Sequence, residues 1–247
     1  VAKVALELGG KSPLVILPGA PLGEAVRFGV NALLLNNGQR CDGFTRMIVP
    51  RSDLAEVERI AADEVAKRSV GPTSDPSNTI GPVASKAQQD RVLGYIDAGI
   101  REGAKLVVGG LGLPELPAAN HEGYFIRPTV FSEVTPQMTI AREEIFGPVL
   151  SIQAYDDVDE AVRIANDTEY GLAAAVYGHD EESALAIAAR IEAGMVTVNG
   201  GAMDILAPFG GYKQSGLGRE FGRYGFEEFL EVKAVRLPGK ASPEPVA

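Results

Sequence analysis

From Val149 to Val198 the sequence switches repeatedly between two hydrophobic periods, and this alternation constrains the fold more than any other feature. Val149 to Tyr155 reads as a strand, Val158 to Asn166 as a helix and Leu172 to Tyr177 as a strand. Glu181 to Ala193 then reads as a helix and Met195 to Val198 as a strand. Strands separated by amphipathic helices cannot be joined by tight hairpins, so they pair in parallel while the helices cross over the sheet. The expected class is α/β, a mostly parallel sheet flanked by helices.

The first half extends the pattern. Val1 to Leu8 alternates loosely and stops at Gly9-Gly10, as a strand entering a turn does. Leu22 to about Leu35 carries apolar residues at helical spacing, and Asn36-Asn37-Gly38 breaks it. Phe44 to Val49 reads as a strand and Ser52 to Lys67 as a helix with Ser52 as its N-cap. Residues 69–82 form a loop, Ser85 to Glu102 a helix, and Ala104 to Val108 and Tyr124 to Phe131 strands. Gly109 to Gly123, rich in Gly and Pro, reads as an exposed excursion.

Charge and composition narrow the function. With 23 Lys and Arg against 33 Asp and Glu, the net charge is −10, which repels phosphate backbones and argues against nucleic acid as a partner. No apolar run approaches the ~18 to 20 residues of a membrane span. One cysteine excludes an internal disulfide and a multi-cysteine zinc site, and the carboxylates show no ligand-like spacing, so no metal is expected. The expected compartment is cytoplasmic. The start at Val rather than Met reads as a fragment or a processed product.

Four segments carry candidate chemistry. Cys41 stands in the polar, turn-forming run Asn36-Asn37-Gly38-Gln39-Arg40-Cys41, where backbone N–H groups and nearby positive charge can lower a thiol pKa. A buried free cysteine acting as a small hydrophobe is the structural alternative. Glu7, among Val4, Leu6 and Leu8, is either an outward-facing strand residue or a buried base of raised pKa. Its glycine neighbours allow close approach of another backbone or a cofactor. Arg142 to Val149 places paired acids before an apolar strand, and Pro208 to Glu220 is glycine-rich without following the Walker or Rossmann spacing.

Together the segments Glu7-Leu8-Gly9-Gly10-Lys11-Ser12-Pro13, Gly38-Gln39-Arg40-Cys41, Glu144-Ile145-Phe146-Gly147-Pro148 and Pro208-Phe209-Gly210-Gly211-Tyr212-Lys213 resemble the NAD(P)-dependent aldehyde dehydrogenase superfamily. The resemblance covers nearly the whole chain up to Leu237 and implies the family's catalytic-domain fold. It implies that Cys41 attacks the aldehyde carbonyl and that Glu7 activates the water that hydrolyses the resulting thioester. It also implies that Glu144 binds the nicotinamide ribose, that Phe146 packs near the ring, and that the backbone at Leu8 places the carboxamide of NAD or NADP. Family members are longer, and their N-terminal half carries most of the dinucleotide-binding sheet.

On this reading residues 1–10 are the last strand of a dinucleotide-binding domain and 11–208 the catalytic domain. Residues 209–237 are a return segment with an oligomerisation strand at Phe229 to Leu237, and 238–247 a flexible tail. A homodimer or homotetramer acting on a small aldehyde is expected. The alternatives are a cofactor-independent cysteine esterase and a non-catalytic fragment. Cysteine hydrolases use a histidine partner, and neither His121 nor His179 lies in a promising segment.

Overall fold

The structure, a computed structural model, describes residues 2–116 and 123–238. Its first half runs β1 (Leu6–Glu7), β2 (Pro13–Ile16), α1 (Leu22–Leu34), β3 (Arg46–Pro50) and α2 (Leu54–Ala66). There follow α3 (Lys86–Arg101), β4 (Lys105–Val108), β5 (Thr129–Ser132), α4 (Thr139–Arg142), β6 (Val149–Tyr155) and α5 (Val158–Asn166). The chain continues through β7 (Tyr170–Gly171), β8 (Ala173–Tyr177), α6 (Glu181–Ala188) and β9 (Met195–Val198). It closes with β10 (Tyr212–Lys213), β11 (Gly216–Leu217) and α7 (Gly222–Glu227).

Seven strands form one sheet in the order β4-β5-β6-β3-β2-β8-β9. Every pairing is parallel except β4 against β5 at the edge. Central strands of such a sheet are covered on both faces, and all four residues of β2 are buried. Leu14, Ile16, Met47 and Val49 pack under α1 and α2. Val15, Ile48, Ala174 and Val176 face α5 and α6 on the other side. A third cluster, with Val92, Ile96, Phe131 and Ile140, lies under α3 and α4.

The helix starts follow local chemistry. Asp157 Oδ1 accepts the Glu160 N–H (2.7 Å) at the start of α5, and Glu160 Oε2 reaches back to the Asp156 N–H (2.7 Å). Ser85 caps α3 by accepting the Gln88 N–H (3.1 Å).

Several elements depart from the sequence expectations. Ser52 does not cap a helix: it lies in a 3₁₀ turn, Arg51–Asp53, and its hydroxyl donates to Asp53 Oδ1 (3.1 Å), so α2 begins at Leu54. The strand expected over Tyr124 to Phe131 shortens to β5, since Pro128 has no N–H to give the ladder and Phe125 and Ile126 are buried as loop residues. The first strand contracts to Leu6–Glu7, which pairs antiparallel with β11 rather than joining the large sheet. The helix expected to reach Ala193 ends at Ala188.

Phe229 to Leu237 forms no strand and finds no ladder partner among the described residues. The Leu230 N–H instead closes a turn on the Glu227 carbonyl (3.0 Å). The excursion is described only to 116 and from 123, so His121 lies outside the described residues, as do 239–247 of the tail.

Candidate active site

The Cys41 loop begins where α1 unwinds. Asn36 and Asn37 take left-handed backbone angles (φ 50° and 58°), which asparagine tolerates better than most residues, and Gly38 follows at φ 71°. Asn37 Nδ2 donates to the carbonyls of Gly81 (3.1 Å) and Pro82 (2.9 Å), fastening the loop to the segment before α3. A Cβ on Gly38 would lie 2.1 Å from the Gly147 carbonyl oxygen, so only glycine lets the cysteine loop meet the 144–148 loop. Cys41 itself is half-buried.

The second wall comes from residues 7–10. A Cβ on Gly10 would sit 2.4 Å from the Cys41 carbonyl oxygen, so the chain entering β2 passes directly against the Cys41 backbone. The Gly10 N–H donates to Glu144 Oε1 (3.1 Å), and the Glu144 carboxylate packs against the α-carbon of Gly9. Glu7 faces Gly210, whose Cβ would stand 2.9 Å from Glu7 Oε1. All four segments singled out in the sequence therefore meet at one place.

The electrostatics separate the three groups. Both Glu7 oxygens are buried without a hydrogen-bond partner among the described residues. That burial, helped by Glu220 and opposed by Arg219, pushes the Glu7 pKa above the usual carboxylate range. The buried-base alternative thus fits Glu7 better than an outward-facing strand residue. Burial also raises Glu144, against the Gly10 N–H and the charges of Arg91 and Lys11.

Cys41 corrects an expectation. Its pKa is raised, first by burial and then by Asp42, although the backbone N–H groups of Cys41 and Asp42 pull it down. The neighbouring cation gives no help, because Arg40 is engaged by Asp42 through Nε–Oδ1 (2.9 Å) and a second guanidinium N–H to Oδ2 (2.6 Å). Burial and Asp42 thus favour the thiol over the thiolate.

Phe146 is half-buried and held at φ 58°, a conformation that costs an aromatic residue on the order of 1–3 kcal/mol. Gln88 Nε2 stabilises it by donating to the carbonyls of Phe146 (2.7 Å) and Ile145 (3.2 Å). The Arg91 guanidinium donates to the Glu144 carbonyl (2.6 Å). Leu8 is exposed, and its N–H is spent on the Ser215 carbonyl (3.0 Å), while its own carbonyl accepts no hydrogen bond among the described residues.

Three residues were not read as site residues from the sequence. Ser215, fully buried, accepts the Gly171 N–H (2.9 Å) and donates to the Gly9 carbonyl (2.7 Å), tying the return segment to the glycine pair. Nothing in its glycine-rich surroundings marked it. Arg46, also buried, donates to the carbonyls of Lys11 (2.8 Å), Ile164 (2.7 Å) and Ala165 (2.8 Å), joining the start of β2 to the end of α5. Lys11 is buried with its amine unpartnered among the described residues, and burial lowers its pKa to about 7. A lysine directly before the apolar run Pro13 to Ile16 was the available signal. His179 pairs with Asp180 (2.5 Å) on the surface, in a turn remote in sequence from all four segments.

A single thiol, two carboxylates of raised pKa and a glycine-built junction between them mark the candidate site of this α/β protein. The sequence model of the aldehyde dehydrogenase family matches residues 1–235. The chain belongs to that family. It is 52% identical over 235 residues to the 3-succinoylsemialdehyde-pyridine dehydrogenase of a Pseudomonas species, covering 95% of this chain and 49% of that one.

Among solved structures, a mutant aldehyde dehydrogenase C from Pseudomonas syringae, complexed with NAD+ and octanal, superposes with a TM-score of 0.91 at 54% identity. That match covers 95% of this chain and 48% of the other. The Mycobacterium tuberculosis aldehyde dehydrogenase complexed with NAD+ gives 0.90 at 46% identity, covering 96% and 49%. The chain spans about half the length of the curated relatives it matches.

Proposed function

We propose that the protein oxidises an aldehyde to a carboxylic acid with NAD or NADP. The observation that carries this reading is the junction at Gly9-Gly10, where the Cys41 backbone and the Glu144 carboxylate abut the segment that bears Glu7. Cys41 Sγ adds to the carbonyl carbon and the thiol proton passes to the carbonyl oxygen, giving a thiohemiacetal. The Cys41 N–H lies beside the developing oxyanion and stabilises it. NAD(P), when bound, supplies the acceptor for the two electrons and the hydrogen that this carbon gives up. Glu7, kept basic enough by burial, then takes a proton from water, which attacks the thioester and releases the acid and the thiol.

The residues present fit the reactive end of the cofactor. The Glu144 carboxylate, already fixed on the Gly10 N–H, would hold the nicotinamide ribose. Phe146, presented by its left-handed backbone, would pack on the ring, and the Leu8 carbonyl would meet the carboxamide. Residues 1–10 serve as the last strand of a dinucleotide-binding domain, 11–208 as the catalytic domain and 209–237 as a return segment. The β1–β11 pairing outside the large sheet supports that division.

Phe229, Val232 and Val235 are 89, 97 and 75% exposed and lack a ladder partner among the described residues, which supports pairing with a second subunit in a dimer or tetramer. A cytoplasmic location fits the reduced lone thiol.

The test of the reading is Cys41→Ala, which abolishes NAD(P)-dependent aldehyde oxidation while cofactor binding persists. Glu7→Gln keeps the initial burst of reduced cofactor and slows the steady state. Turnover in Cys41→Ala would overturn it.

A further inference from the structure

Lys11 is 1% exposed, and its amine makes no hydrogen bond among the described residues. An amine in such a place costs folding free energy, most of all when charged, whereas a methionine would fill the same space without that cost. A buried polar group left unsatisfied calls for a function.

The local backbone shows which way the lysine side chain leaves it. A Cβ on Gly10 would meet the Cys41 carbonyl oxygen, with Ser12 Oγ next at 3.4 Å, so residues 10 and 12 share the Cys41 face. A Cβ on Gly9 would run into the Glu144 carboxylate. Successive side chains alternate in an extended chain, so Lys11 lies on the Glu144 face with Gly9. The carboxylate is fixed there by the Gly10 N–H (3.1 Å), one residue from Lys11. Arg46 holds the Lys11 carbonyl (2.8 Å) and keeps this stretch of backbone in place.

The charges around the pair are otherwise committed. Burial and Arg46 push the Lys11 amine toward neutrality, while Glu144 and then Glu143 favour its charge. Glu143 is engaged by the Tyr95 hydroxyl (2.7 Å). Glu192, which lines the same small cavity as Lys11, is paired with Lys213 (2.7 Å). Burial pushes the Glu144 carboxyl up, and the Gly10 N–H, Arg91 and Lys11 pull it down. Arg91 is spent on the Glu144 backbone carbonyl (2.6 Å). Tyr170 and Cys41, also near Glu144, bring no positive charge.

From this we infer that Lys11 is a positioning residue: its buried amine keeps the Glu144 carboxylate ionised and ready to accept the ribose hydroxyls of the cofactor. This role rests on Glu144 being the ribose-binding group of the proposed reaction. A hydroxyl donates more strongly to a carboxylate than to a carboxylic acid, so loss of the amine loosens the cofactor while Cys41 and Glu7 keep their places.

The test follows both groups by NMR in protein labelled with ¹³C at glutamate Cδ and lysine Cε, without cofactor. Glu144→Gln and Lys11→Met assign the two signals. Coupling between two sites is reciprocal. Lys11→Met therefore moves the Glu144 midpoint to higher pH, Glu144→Gln moves the Lys11 midpoint to lower pH, and Lys11→Arg leaves Glu144 near its wild-type midpoint. In direct binding at pH 6.5, Lys11→Met holds NAD+ about tenfold more weakly than the wild type, and Lys11→Arg restores the affinity.

A Glu144 midpoint unmoved in Lys11→Met, a Lys11 midpoint unmoved in Glu144→Gln, or equal NAD+ affinity in wild type and Lys11→Met would overturn the inference. The oxidation reading is judged separately, on turnover by Cys41→Ala. The titrations need no cofactor and decide the coupling whatever becomes of that reading.

Discussion

The Gly10 N–H donates to Glu144 Oε1 at 3.1 Å across 134 residues of sequence, while the Gly10 α-carbon presses against the carbonyl of Cys41. One glycine thus sets the spacing between the thiol loop and the carboxylate loop. A side chain at this position has to displace one of them.

Gly10→Ala is therefore expected to lower kcat by about 10²-fold, the effect of an ångström-scale misplacement of a reacting group. The new Cβ would meet a backbone oxygen at 2.4 Å, and backbone cannot swing aside as a flexible side chain can. Steady-state kinetics beside a thermal melt separates this from unfolding. A folded variant of normal kcat would show that the spacing is immaterial.

Glu7 makes stability depend on pH in the direction opposite to an ion-paired carboxylate. Its folded pKa is raised, so between the unfolded value and the folded one the native state holds more protons. Stability contributed by Glu7 is thus full below the unfolded pKa and lost as pH rises through the folded pKa. The Glu7→Gln variant should gain on the wild type as pH rises from 4 to 7, read as the difference in urea midpoints. A pH-independent difference would place the carboxylate in water.

Lys11 acts the other way. Its folded pKa is about 7, below the 10.5 of an ordinary lysine, so the unfolded chain binds the extra proton between those values. The wild type therefore gains stability as pH rises from 7 to 10.5; on lowering the pH that gain is gone by about 7, below which both states carry the charge and the contribution stays at its lowest. Lys11→Met should be the more stable protein at pH 6.5 by several degrees in Tm, with the advantage shrinking toward pH 10. Equal slopes for the two proteins would mean that the amine reaches solvent.

Ser215→Ala strands the Gly171 N–H and the Gly9 carbonyl in a buried site. Each stranded group costs about 1–3 kcal/mol. The urea midpoint should fall with the m-value unchanged. Little change in midpoint would show that water replaces the hydroxyl.

The sequence was most legible where its period was regular and its partners local. Val149–Tyr155, Val158–Asn166 and Met195–Val198 have the boundaries that their patterns predict. Phe229 to Leu237 begins with alternation, yet no strand forms, because a strand needs a ladder partner and periodicity does not supply one. The family motifs identified the residues that meet at the site. The state of the thiol was not legible, because adjacency in sequence places Arg40 next to Cys41 while geometry delivers its charge to Asp42. Arg46 was equally hidden: its carbonyl partners on α5 come into reach only once that helix has crossed the sheet.

The bond from Ser215 to the Gly9 carbonyl spans 206 residues, and β1 has its ladder partner at Gly216–Leu217. During synthesis the large sheet, built from residues 13–198, and the Cys41 loop anchored on it can form while the return segment is still within the ribosome. Glu7 and the Gly9-Gly10 junction wait for the last tenth of the described chain. The order of biosynthesis thus completes the junction last: a nascent chain carries Cys41 before Ser215 and β11 can fix the Gly9-Gly10 segment beside it. Ribosome stalling or proteolysis between residues 198 and 215 would leave a protein with its large sheet formed and its Gly9-Gly10 junction untied.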